Sequence, residues 1–73
     1  MFDYCKLRGK IREVFGTETA FAKAMRMSSV SLSKKLNGLV DFTTKEIDLA
    51  TDLLGIPKDE ISIYFFTIKV QNS

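Results

Sequence analysis

The sequence predicts an all-α fold, a compact bundle of four to five helices that contains a helix-turn-helix and ends in a short extended C-terminal tail. Three observations predict it. Apolar residues recur at three- and four-residue spacing along most of the chain. Residues that cap helix starts stand at Asp3, Thr17, Ser28 and Thr43. Glycines at positions 16, 38 and 55 fall where the periodic runs stop.

The first helix is capped by Asp3 and carries Tyr4, Leu7, Ile11, Val14 and Phe15 on one face, with Gly16 as its stop. Gly9 lies within it on the polar side, at a cost of about 1 kcal/mol relative to alanine. Thr17 then opens a two-turn helix bearing Phe21, Ala22 and Met25. Ser28 caps a third, SVSLSKKLN, in which Leu32 and Leu36 point inward while Ser29, Val30, Ser33 and Lys34 lie away from that line. Asn37 and Gly38 close it. LVDF reads as a loop with two core contacts, and Thr43 to Glu46 as a capping box that opens a fourth helix lined by Ile47, Ala50, Leu53 and Leu54. Gly55 ends that helix, and Pro57 is preset for the first position of another. The segment from Ile61 to Val70 fits both a helix and alternating strand faces, and we expect a short helix over about 58–66 with an extended tail beyond it.

With 73 residues the chain is expected to form one domain, residues 1–73, burying only about 60% of its unfolded surface. It has no histidine and no tryptophan, so the commonest general base and metal ligand are missing. Asp48 and Asp52 share a helix face without a partner base or a phosphate loop and read as solvated acids. The expectation is therefore a non-enzyme with no cofactor, no metal and no small-molecule substrate. Cys5 is the single cysteine, which excludes an internal disulfide. No apolar run is long enough for a membrane span and the first residues lack a secretory signal, so the expected location is cytoplasmic.

Charge is distributed unevenly. Residues 1–40 hold eight basic and three acidic side chains, a net of +5, whereas residues 41–73 hold three basic and six acidic, a net of −3. A basic face of this kind attracts polyanions.

Two short helices three or four residues apart, flanked by further helices, describe a helix-turn-helix over about 17–37. Ala22 supplies the small residue needed where the two cross, with Phe21, Met25, Leu32 and Leu36 between them. In the halves AFAKAM and SVSLSKKLNG, the capped TTKEIDLATDLLGIP and the closing DEISIYFF, the chain resembles the lambda-repressor-like family of phage repressor and Cro regulators. The likeness covers about residues 3–65 and is greatest to the small stand-alone phage-encoded members. Two positions depart from the family pattern. Glu18 stands where a phosphate-bracing glutamine is usual, and Arg26 where the turn usually has glycine, so the turn is either strained by about 1 kcal/mol or differently shaped. With the first helix starting so early, no long N-terminal arm is expected to wrap a duplex.

The resemblance implies a recognition helix starting at Ser28, with Ser29, Val30, Ser33 and Lys34 reading base edges in the major groove. Serine bonds to most bases, valine packs on a thymine methyl, and lysine donates to guanine. Thr17, Thr19, Arg26, Ser28, Lys35, Asn37, Thr43 and Thr44 are expected to contact phosphates. One domain would bind weakly, so the expected partners are double-stranded DNA and a second copy, as a homodimer on a twofold operator. The segment 57–73 supplies the dimer surface through Ile61, Tyr64, Phe65 and Ile68. The function expected is a sequence-specific transcriptional regulator, phage- or prophage-encoded and working in a bacterial cell. The alternative is a protein-interaction module of the same fold, such as an anti-repressor or a host-factor inhibitor.

Overall fold

A computed structural model describes residues 2–68, and the tail expected beyond Ile68 lies outside them. Five α-helices follow in order: α1 Cys5–Phe15, α2 Glu18–Ala24, α3 Ser29–Leu36, α4 Thr44–Leu54 and α5 Ile61–Phe65. A 3-10 turn, Lys58–Glu60, leads into α5. No strand runs among the described residues, and the all-α expectation holds.

Local chemistry sets most of the boundaries. Thr17 Oγ1 accepts from the Ala20 N–H at 3.1 Å, and Ser28 Oγ from the Ser31 N–H at 3.1 Å. Each satisfies one of the amides that a helix start leaves without a partner. The capping box at α4 is complete, with Glu46 N–H to Thr43 Oγ1 at 3.1 Å and Thr43 N–H to Glu46 Oε1 at 2.8 Å. The cap expected at Asp3 is displaced by one residue. Tyr4 holds the N-cap backbone position, and Asp3 Oδ1 accepts from the Cys5 N–H at 2.9 Å.

Three helices end in the same way. After α2, α3 and α4 the chain turns through a left-handed residue whose own amide and the one after it reach back to helix carbonyls, the Schellman arrangement. Gly38 and Gly55 occupy the left-handed position after α3 and α4, at φ 78° and 67°. After α2 it is Arg26, at φ 60°, with Arg26 N–H to Lys23 O and Met27 N–H to Ala22 O both at 3.0 Å. The turn thus keeps the shape that glycine favours and carries about 1 kcal/mol of strain.

The core forms where the inward faces meet. Leu7 and Ile11 of α1, Phe21 and Ala22 of α2, Leu32 and Leu36 of α3, Ala50 and Leu54 of α4 and Phe65 of α5 are all buried. Edge-to-face ring contacts join Tyr4 to Phe42 at 5.4 Å and Phe42 to Phe65 at 5.4 Å, tying the chain start and the α3–α4 loop to α5.

Four expectations need correction. Val14 is exposed because α1 ends there and the next residue, Phe15, takes the place against the core. Of LVDF, Phe42 alone packs on the core, whereas Leu39 is 72% and Val40 45% exposed. Leu39 follows the left-handed Gly38, a position whose apolar mate is normally the residue five earlier; here that residue is the outward Lys34. After α4 the same position holds Ile56, five residues beyond the buried Thr51, and Ile56 is buried. The single helix expected over 58–66 divides into the 3-10 turn and α5, and Pro57 precedes the turn in extended conformation. Beyond α5 the chain extends to an isolated antiparallel bridge between Phe2 and Ile68.

Candidate recognition surface

Helix α3 is amphipathic over its whole length. Leu32, Lys35 and Leu36 are buried, while Ser29, Val30, Ser33 and Lys34 are exposed, bringing the four expected base-reading residues onto one outward edge. Val30 is 65% exposed among serines, so it is not a core residue. Thr19 and Thr44 stand exposed in the first turns of α2 and α4. Thr17 uses its oxygen as a cap acceptor, which leaves its hydroxyl hydrogen free to donate outward, whereas the Thr43 hydroxyl, besides accepting as the cap, bonds to the Glu46 carboxylate. Ser28 is more fully committed, because its hydroxyl also donates to Ser31 Oγ at 3.1 Å. Arg26 is exposed on the turn.

Lys35 is not a phosphate contact. It is 8% exposed, with Nζ 3.0 Å from Glu46 Oε1, donating to the Asp41 carbonyl at 3.1 Å and lying 6.0 Å from the centre of the Phe42 ring. One ammonium thereby ties the end of α3 to the loop and to the start of α4. Partial burial pushes the Glu46 carboxyl up, but the Thr43 backbone N–H, the Lys35 ammonium and the Thr43 hydroxyl outweigh it and hold the group below its ordinary value.

Asn37 is also largely engaged within the fold. Its Oδ1 accepts from Arg8 Nη2 at 2.7 Å, and its Nδ2 donates to Ser33 Oγ at 3.4 Å. Arg8 Nη1 lies 3.7 Å from Glu18 Oε2, a buried oxygen with no hydrogen bond of its own. Glu18 is therefore neutralised by α1 rather than left facing a phosphate. Sequence reading missed Arg8, and no local signal could have found a partner 29 residues away.

The four residues expected to form a dimer surface do not share one exposed face. Phe65 is 1% exposed and lies at the centre of the core, unavailable to a second chain. Ile61 and Tyr64 are half-buried against that core. Ile68 is 71% exposed and pairs across the bridge with Phe2, whose ring meets that of the exposed Phe66 at 5.6 Å. The three-four spacing that drew attention to Ile61, Tyr64 and Phe65 marks the inward face of a helix.

Among the described residues no helix is long and apolar enough to cross a membrane, and no cluster of three acidic or thiol side chains could hold a metal ion. Residues 1–68 match the family of proteins of unknown function DUF739, and the chain belongs to that family. It is also similar to the solution structure of the modulator of repression (MOR) of the temperate bacteriophage TP901-1 from Lactococcus lactis. That match has a TM-score of 0.80 and 41% identity, covering 96% of this chain and 95% of the other. No curated protein gives a significant match.

Proposed function

We propose that this DUF739 member is a phage regulatory protein that sets the state of repression by placing the outward edge of α3 in the major groove of an operator. In this reading α2 and α3 are a helix-turn-helix of the lambda-repressor-like kind, and the protein performs no catalytic step. Its likeness to a phage modulator of repression supports the regulatory role. The observation that carries the DNA reading is the common exposure of Ser29, Val30, Ser33 and Lys34, braced from behind by Leu32 and Leu36. Such an edge offers hydroxyl, methyl and ammonium groups to base edges, which is the chemistry of direct readout. Thr17, Thr19 and Thr44 then fall to the phosphates as neutral donors.

Charge limits how tightly one copy can hold. With Lys35 and Arg8 engaged inside the fold, Lys34 and Arg26 remain of the cations assigned to the edge. Two cations brought against the duplex, Lys34 in the groove and Arg26 at the backbone, displace counterions and give a slope of log affinity against log salt of about −2 per protomer, and about −4 for two copies on a twofold site. Lys34→Ala is expected to reduce that slope by about 0.9 per protomer and to relax the preference at one base position. Selection from a random duplex pool, followed by a salt titration, checks both. A pool with no enriched motif and an affinity indifferent to salt would defeat the DNA reading.

A second reading, docking on another protein, is favoured by one observation. Leu39 and Val40 are exposed immediately beyond α3, apolar surface for which a sugar-phosphate backbone has no use. A surface that modulates a repressor directly would use them. In that case Leu39→Ser with Val40→Ser abolishes regulation, while neither Lys34→Ala nor added salt has much effect.

A further inference from the structure

The contacts behind α3 do more than support it, because they fix which way one of its hydroxyls can bond. Arginine has only donors. The Arg8 guanidinium, 2.7 Å from the Asn37 side chain, must therefore meet its oxygen. The other end of that amide, Nδ2, is left facing Ser33 Oγ at 3.4 Å, and an amide nitrogen also only donates. Ser33 accepts there. Among the described residues its side chain makes no other hydrogen bond, so its own O–H is free on the exposed edge. Glu18 Oε2 lies 3.7 Å from the other guanidinium nitrogen, so Arg8 is engaged by α2 as well as by the end of α3.

We propose that Arg8 and Asn37 are specificity-determining positioning residues, which present the Ser33 hydroxyl to the bound duplex as a hydrogen-bond donor. The inference rests on the DNA reading above. A serine hydroxyl ordinarily bonds either way and discriminates poorly. Once one lone pair is occupied from behind and its hydrogen faces the groove, it selects base edges that accept. Guanine, with N7 and O6, and thymine, with O4, satisfy it; cytosine, whose major-groove edge carries the N4 amino donor, does not. The polarity of a base contact on α3 is thus decided by a residue on α1.

The test is duplex-pool selection with the wild type, Ser33→Ala, Asn37→Asp and Arg8→Ala. Ser33→Ala is expected to erase a preference of roughly fivefold or more at one base position and leave the others. Asn37→Asp retains a partner for Arg8 but places an acceptor behind Ser33. The hydroxyl hydrogen then turns inward, and the same position should move from guanine or thymine to cytosine. Enrichment elsewhere in the motif shows that the variant is folded and bound. If the added negative charge abolishes binding, Arg8→Ala decides instead, since release of the amide should flatten the preference at that position alone. An unchanged preference in the deciding variant, or a Ser33→Ala motif identical to the wild type, overturns the donor assignment and leaves the DNA reading intact. A wild-type pool with no motif overturns both.

Discussion

Phe65→Ala is expected to lower the unfolding free energy by about 3–5 kcal/mol, the range for removing a buried ring from a close-packed core. At roughly 0.05–0.15 kcal/mol per residue a domain of 73 residues has about 4–11 kcal/mol in total, so the variant loses a large share of it and should unfold at a much lower temperature. The physical reason is placement. Phe65 is 1% exposed and meets Phe42 edge-to-face at 5.4 Å, and Phe42 meets Tyr4 in turn. Removing the Phe65 ring takes from the α3–α4 loop its ring contact with α5 and leaves a cavity in the core. Thermal denaturation followed by circular dichroism should show a midpoint lowered by roughly 12 °C or more. Phe66, exposed next to it, provides the contrast, and Phe66→Ala should cost under about 1 kcal/mol. Equal effects from the two would place the C-terminal ring on the surface after all.

Lys35→Met should cost about 2–3 kcal/mol at neutral pH, because it removes the ammonium from a mostly buried pair and leaves the Glu46 carboxylate with its cap bonds alone. The pH dependence supplies an independent check. Glu46 titrates below its ordinary value of 4.5 in the folded protein. Its stabilisation is therefore fully present above about that pH and is lost as pH falls through the lowered folded value. The gap in stability between wild type and Lys35→Met should accordingly narrow as pH falls below that ordinary value. Urea denaturation at pH 7 and pH 3 measures it, and a gap of the same size at both would mean that the pair contributes through packing and not charge. The same variant should loosen the Asp41 carbonyl contact that positions the first turn of α4 relative to α3.

The parts of the fold that were legible in the sequence are those decided by neighbours along the chain. A threonine three residues before a glutamate makes its own capping box, and a glycine after an amphipathic run takes the left-handed turn wherever the rest of the molecule lies. Lys35 was legible but misread. It sits three residues after Leu32 and beside Leu36, on the inward line, and its burial follows from that register once position is weighed above charge. Phe65 was misread for the mirror reason: as a large apolar residue it was assigned to an interface, although its place four residues after Ile61 sets it on the inward line, and Ile63, Phe66 and Ile68 are the exposed ones. Two features had no local signal. The Arg8 to Asn37 contact joins α1 to the end of α3, and only the crossing of those helices creates it. The exposure of Leu39 arises because Gly38 turns the chain so that Leu39 faces a lysine, a fact of backbone geometry.

The central claim is that the outward edge of α3 is the surface through which this protein acts. It is tested most directly by titrating 15N-labelled protein with the duplex selected from the random pool and following each amide resonance. The account predicts that the amides of Ser29, Val30, Ser33 and Lys34 move first and farthest, with those of Thr19 and Thr44 next. Shifts centred on Phe2, Ile63 and Phe66, with α3 unmoved, would contradict it.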